Sequence, residues 1–139
     1  MAKIDPQDQR ISAIFGGKIP DVTEDSLAAY LAYLKAHLTW PCQLTGIEDF
    51  DWEEYYVLGP GDEREYEHLK KTRPSYRDRF NLISLEDEPD EGAGILAKVQ
   101  RVSDKKRFTL PLAELKTTER KSPNYRLLDD YLVWFVNYR

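Results

Sequence analysis

A chain of 139 residues, 41% hydrophobic and 32% charged, with 8 prolines and 7 glycines spread along it, is long enough for one buried core and too short for two ordinary domains, and it is no disordered or collagenous chain. The net charge of −5 argues against a dedicated nucleic-acid binder, because phosphate contacts need a basic field. One cysteine, Cys42, and two histidines, His37 and His68, exclude an internal disulfide and a Cys/His zinc site, a pattern that fits a reducing cytoplasm.

The N-terminus carries Asp5 and Asp8 against Lys3 and Arg10, and its longest apolar run is Ala13-Ile14-Phe15, so it predicts no signal peptide. Nowhere does the chain reach the roughly 18 apolar residues that a membrane helix needs. With Gly16-Gly17 and Pro20, residues 1–22 read as a flexible arm. Leu27, Leu31, Leu34 and Leu38 then recur at spacings of four, three and four, with Thr23 placed as N-cap and Glu24 and Asp25 in the first turn. That spacing predicts an amphipathic helix over 24–38, which Pro41 stops.

Beyond the helix the period shortens. Residues 43–47 and 79–85 carry apolar side chains at alternate or near-alternate positions, and 95–102 runs through Ser103-Asp104-Lys105-Lys106 into 107–112, which reads as a hairpin whose pairing ends near Pro111. Gly59-Pro60-Gly61 marks a turn, and residues 62–71 suit a short helix with an acidic first turn. The run Tyr131-Leu132-Val133-Trp134-Phe135-Val136 is expected as a final strand inside the sheet, with Trp134 and Phe135 in the core, after a helical turn at 125–130.

This connectivity predicts a mostly β fold with short helices: an SH3-like small barrel of about five strands over 40–139, making one domain with the helix from residue 23. In such a barrel the connections after the first and second strands are expected to lie side by side.

The charge is unevenly distributed. Residues 1–70 hold 14 acidic and 6 basic side chains, whereas 71–139 hold 11 acidic and 14 basic. Two acidic stretches stand out: Glu48, Asp49, Asp51, Glu53 and Glu54 in seven positions, with Asp62 beyond, and Glu86-Asp87-Glu88-Pro89-Asp90-Glu91. Crowded carboxylates repel one another unless a cation sits among them. Calcium takes six to eight oxygens in tolerant geometry, which suits loop carboxylates better than the strict octahedron of magnesium. The spacing of Asp49, Asp51 and Glu53 imitates the start of an EF-hand loop, but Glu54 stands where glycine is needed and Pro60 where a glutamate belongs, so this is no EF-hand. The candidate ligands are Glu48, Asp49, Asp51, Glu53, Glu54 and Asp62, joined by Asp87 and Asp90 if the two loops meet. An acidic run that only keeps the protein soluble is the plain competing reading.

Three segments together resemble the small cyanobacterial-type, non-EF-hand calcium-binding family called CcbP: Trp40-Pro41-Cys42 through Gly46-Ile47-Glu48-Asp49; Val102-Ser103-Asp104-Lys105-Lys106-Arg107-Phe108 with Leu110-Pro111-Leu112; and Leu127-Leu128-Asp129-Asp130-Tyr131 with Val133-Trp134-Phe135. The resemblance spans about residues 40–139 and has no short catalytic motif. It implies a bacterial SH3-like barrel with an acidic surface that binds Ca2+ and helps control its cytoplasmic level, as a buffer or a sensor. It does not assign individual ligands.

Other chemistries find little support. The acids offer no discernible pair of the kind glycoside hydrolases use, Gly92-Ala93-Gly94 is no dinucleotide fingerprint, and Cys42 after Pro41 reads as a core thiol rather than a nucleophile paired with His37. The expected protein is therefore no enzyme, but a cytoplasmic monomer whose partner is calcium, with no nucleic acid and no membrane, a protein partner being left open. The alternative is an SH3-like module that binds a basic or proline-rich peptide in a groove flanked by Trp52 and Tyr55. Lys70, Lys71, Arg73, Arg77 and Arg79 read as a solvated basic face, and Phe50 and Tyr56 as core anchors of the acidic loop.

Overall fold

Five short strands form one antiparallel sheet: β1 (Gln43–Gly46), β2 (Arg79–Leu85), β3 (Leu96–Arg101), β4 (Arg107–Pro111) and β5 (Leu115–Thr117), in the order β4-β3-β2-β1-β5. The computed structural model describes residues 5–139, so residues 1–4 of the expected arm lie outside the described part. Alternation sets the register: Phe80 and Leu82 of β2, and Ala97, Val99 and Arg101 of β3, face inward. A shift of register between Leu82 and Ser84 then turns Leu85, instead of Ser84, to the buried face.

The expected strands at 43–47, 79–85, 95–102 and 107–112 are present within a residue or two. The last one is not. Residues 131–136 belong to helix α5 (Pro123–Asn137), whose buried positions Asn124, Leu128, Tyr131, Trp134 and Phe135 follow a helical period. Ser122 caps it, accepting from the Asn124 amide at 3.1 Å, and Pro123 occupies the first turn, where its missing N–H is no loss. The fifth strand is instead the three residues of β5, after a 3-10 turn at Leu112–Glu114. Among the described residues β4 and β5 are unpaired edges, so the sheet is open. The helices α1 (Pro6–Ile14), α2 (Glu24–His37), α3 (Glu54–Val57), α4 (Glu63–Leu69) and α5 hold more residues than the strands, and the fold is mixed α and β rather than a mostly β barrel.

Helix α2 matches its expected bounds within one residue. Thr23 accepts from the Ser26 amide at 3.1 Å and the Ser26 hydroxyl accepts from the Thr23 amide at 2.7 Å, a reciprocal cap. Within the stretch expected as a flexible arm, α1 packs on α5. Asp5 caps α1 by accepting from the Gln7 amide at 2.8 Å, Ile11 is 0% exposed, and Arg10 makes a two-pronged ion pair with Asp130 of α5 at 2.8 and 2.9 Å. Phe15, Tyr30, Tyr131 and Trp134 form the aromatic heart between these helices. Cys42 is buried as expected, and burial pushes its thiol up to about 11. Phe50 is core as well, but Tyr56 is only half-buried, with its hydroxyl donating to Glu65 at 2.6 Å. No described helix is long and apolar enough to cross a membrane.

The register also decides where the acidic loops go. Thr45 pairs with Arg79 and Gln43 with Asn81, so β1 ends where β2 begins, and residues 48–54 emerge at that end. Leu85 pairs with Ala97 at the other end of β2, where residues 86–91 follow. Seven strand residues at ~3.3 Å each put about 20 Å between them. The two loops therefore do not face each other. In an antiparallel meander, successive connections must alternate between the ends of the strand they share.

Candidate functional site

The first acidic loop is tied down at both ends to one residue of the chain. At its start, the Gly46 amide donates to the Tyr76 carbonyl at 2.9 Å, and the approach is so close that a Cβ on Gly46 would lie 2.6 Å from the Tyr76 Cα. At its far end, Glu53 in the 3-10 turn Asp51–Glu53 accepts from the Tyr76 amide at 2.7 Å. Glu53 is 0% exposed, and both of its oxygens are in use: Oε1 also accepts from the Phe50 amide at 3.3 Å, and Oε2 accepts from the Tyr66 hydroxyl at 2.6 Å and the Ser75 hydroxyl at 2.8 Å. Expected as a ligand, Glu53 is a structural tie whose lone pairs face its own chain. Burial, then the bond to Glu53, pushes the Tyr66 phenol up to about 12, so its proton stays in place to be donated.

A second tie holds the segment that carries Ser75 and Tyr76. Arg101 points inward from β3 and donates to both oxygens of Asp104 at 3.0 and 2.7 Å, to Asp78 at 2.9 Å, and to the carbonyls of Lys70, Lys71 and Arg73 at 2.9, 3.0 and 2.8 Å. This guanidinium, 3% exposed, fastens the end of α4 to the sheet.

Between the tied ends stand Glu48, Asp49 and Asp51, and the structure adds a carboxylate that the sequence reading missed. The Ile47 amide donates to the Glu114 carbonyl at 3.0 Å, which brings the 3-10 turn at Leu112–Glu114 beside the loop. Burial, and then the negative charges of Asp51 and Glu48, hold the Glu114 carboxyl above the usual glutamate value of 4.5. None of Glu48, Asp49, Asp51 and Glu114 has an ion-pair partner among the described residues. Because Glu114 binds its proton more readily folded than unfolded, its ionised form destabilises the protein above its folded pKa, and the penalty disappears as the pH falls below 4.5. Glu114→Gln should therefore raise the calcium-free melting temperature at pH 7, by a solvent-screened gain of about 0.5 kcal/mol, and the advantage over wild type should vanish in acid. A pH-independent difference in melting temperature would show that repulsion is not its source.

The remaining candidates lie apart from this group. Glu54 is exposed in the first turn of α3, and Asp62 is the exposed N-cap residue of α4, both within the β1–β2 connection. At the other end of β2, Asp87 accepts from Lys35 at 2.6 Å, and that bond holds its carboxyl below the usual range. Asp90 accepts from the amides of Gly92 and Ala93 at 3.0 and 2.8 Å. Among the described residues no group of three or more carboxylate, histidine or cysteine side chains is gathered so as to hold a metal ion where the side chains now stand.

The aromatic pair proposed for a peptide groove is not displayed as a pair. Trp52 donates from Nε1 to the Pro74 carbonyl at 2.7 Å and carries the Arg73 guanidinium 5.5 Å from its ring, whereas Tyr55 is 57% exposed. Of the basic face, Lys70 pairs with Glu67 at 2.7 Å and Arg77 lies over Tyr76.

No family model matches the chain, and no curated protein sequence does. Solved structures share its fold. One is the crystal structure of Anabaena CcbP, with a TM-score of 0.58 and 14% identity over 96% of this chain and 94% of that one. Another is a calcium-binding protein in its calcium-binding form, with a TM-score of 0.60 and 14% identity over 98% of this chain and 96% of that one. The likeness in fold thus takes in nearly all of the chain, including the N-terminal helices that precede the segments of sequence resemblance.

Proposed function

We propose that this protein binds calcium through the loop after β1, with Glu48, Asp49 and Asp51 as the principal ligands and Glu114 joining them from the turn before β5. The supporting observation is that the Ile47 amide, bonded to the Glu114 carbonyl at 3.0 Å, brings Glu114 beside the acidic loop, where burial and then the charges of Asp51 and Glu48 push its carboxyl up. A hard divalent ion relieves that repulsion, and oxygen-only donors on a loop match calcium better than magnesium or a transition metal. The fold is shared with a protein solved in a calcium-binding form. The role is cytoplasmic, as a buffer or a sensor of the ion, and it is one of binding rather than catalysis. Asp87 and Asp90, about 20 Å away by strand length, take no part in this site.

Calorimetric titration with Ca2+, with Mg2+ as competitor, tests the reading. Asp49→Asn with Asp51→Asn should weaken binding at least tenfold, about 1.4 kcal/mol, while Asp87→Asn with Asp90→Asn should leave the affinity unchanged. Calcium at a hundredfold excess over Kd should raise the stability of the wild type by about 2.7 kcal/mol, seen as a higher melting temperature. A melting temperature indifferent to millimolar calcium would return the loop to a merely solvated one.

A further inference from the structure

One face of the sheet packs on the core and the other is open, and the open face carries a charge opposite to that of the whole protein. Strand pairing sets its side chains out in rows. Lys116, Thr45 and Arg79 stand side by side across β5, β1 and β2, and the Val102 amide, donating to the Arg79 carbonyl at 2.9 Å, carries that row past the end of β3. Gln43, Asn81, Gln100 and Arg107 form the next row, across β1, β2, β3 and β4. Ser84, Lys98 and Thr109 form the third. Arg79, Lys98, Arg107 and Lys116 are all exposed, and among the described residues only Lys98 of these four has an ion-pair partner, Glu86 at 3.9 Å. Among the described residues no strand holds an aspartate or glutamate, although the chain has 25 of them and a net charge of −5. Strand propensity does not account for this, because it disfavours lysine as well as the acids.

We propose that this open face is a docking surface for an acidic segment of a partner protein, held by Arg79, Arg107 and Lys116, with the uncharged amides of Gln43, Asn81 and Gln100 between them as hydrogen-bonding groups. The proposal does not depend on the calcium reading. Charge complementarity selects the occupant: two copies meeting through this face would set like charges against each other. A nucleic acid calls for aromatic platforms, and none of the row positions is aromatic; the exposed Trp40 shares a hollow with Ile83 and Lys98 at one corner. A lipid surface calls for a broad apolar face beside the cations, and the rows are polar apart from Val102. Five strands span about 20 Å, so the contact is small and its strength depends on charge and on salt.

The test titrates a fluorescent oligoglutamate peptide with the calcium-free protein and follows anisotropy at low and at moderate salt. Wild type is compared with a face variant, Arg79→Gln with Arg107→Gln and Lys116→Gln, and with a control that loses the same charge beside α5, Arg120→Gln with Lys121→Gln and Arg126→Gln. All six side chains are exposed, so both variants should keep the fold and the melting temperature of wild type. The expected result is binding by wild type that weakens with salt, about tenfold weaker binding in the face variant, and a control within about twofold of wild type. An equal or greater loss in the control would overturn the proposal by assigning the binding to net charge or to the basic side chains of α5. Tighter binding of oligothymidylate or of phosphatidylserine vesicles than of the peptide would overturn the choice of partner, as would self-association of wild type that the face variant abolishes. No peptide binding by wild type at low salt would overturn the docking surface itself. A face variant that self-associates and still binds the peptide like wild type would show that these cations serve to guard the edges at β4 and β5.

Discussion

Arg101→Met should lower the unfolding free energy by about 3–5 kcal/mol, measured by denaturant titration, even though methionine keeps most of the aliphatic stem. The loss comes from what is left behind. Without the guanidinium, Asp78 and Asp104 lose the cation they share, and the carbonyls of Lys70, Lys71 and Arg73 lose a donor that is itself buried. Phe108, 5.2 Å from the guanidinium carbon, loses its cationic neighbour as well. The pH dependence carries the same signature. Arg101 pulls the Asp104 carboxyl down to about 2 from an ordinary value of 3.8, so the ion pair stabilises fully above 3.8 and the contribution is lost as the pH falls through about 2. Arg101→Met should therefore show a shallower loss of stability than wild type across that acid range. A change of less than about 1 kcal/mol at neutral pH would mean that the segment after α4 is held by other contacts.

The second large effect is expected at Trp134. Its ring is 0% exposed, lies 4.9 Å from Tyr30 and 5.5 Å from Phe15, and its Nε1 donates to the Pro20 carbonyl at 3.0 Å. Trp134→Ala should cost about 3–5 kcal/mol, from lost burial and the cavity left among three helices. The site of the damage is as informative as its size. Because Phe15 and Pro20 follow α1, hydrogen exchange at the amides of α1 should accelerate in the variant well before that of β2 and β3. Equal protection of α1 in the two proteins would place residues 5–22 outside the cooperative unit, as a loose arm.

Local pattern was enough for α2, β2 and the β3–β4 hairpin, because each carries a readable pattern between visible stops: four leucines at helical spacing before Pro41, near-alternation in 79–85, and a polar tetrapeptide between two apolar runs. Signals for α1 and α5 were also present. Asp5-Pro6 and Ser122-Pro123 are each a capping residue followed by a proline in the first turn, but a run apolar on every face, such as 131–136, fits a buried helix and a buried strand equally well. Length decided it: the stripe reaches back to Asn124 and Leu128, too far for one short strand. The inward position of Arg101 was likewise legible from the alternation of Ala97 and Val99, as a charge that had to find buried partners.

What the sequence by itself determined about function was the chemistry of the loop after β1: oxygen donors, crowded and unbalanced, with no nitrogen or sulfur ligand beside them. Which of those carboxylates are free was decided only by tertiary structure. Glu53 and Glu54 are neighbours of identical chemistry, yet one is sealed among donors 13 to 23 residues away and the other lies in solvent. Glu114 joins from a turn 66 residues after Glu48, and Asp87 and Asp90, which shared the same acidic pattern, are carried to the opposite end of β2. Charge and oxygen content are properties of a residue, but burial, donors and neighbours depend on which distant segments the strand register brings alongside it.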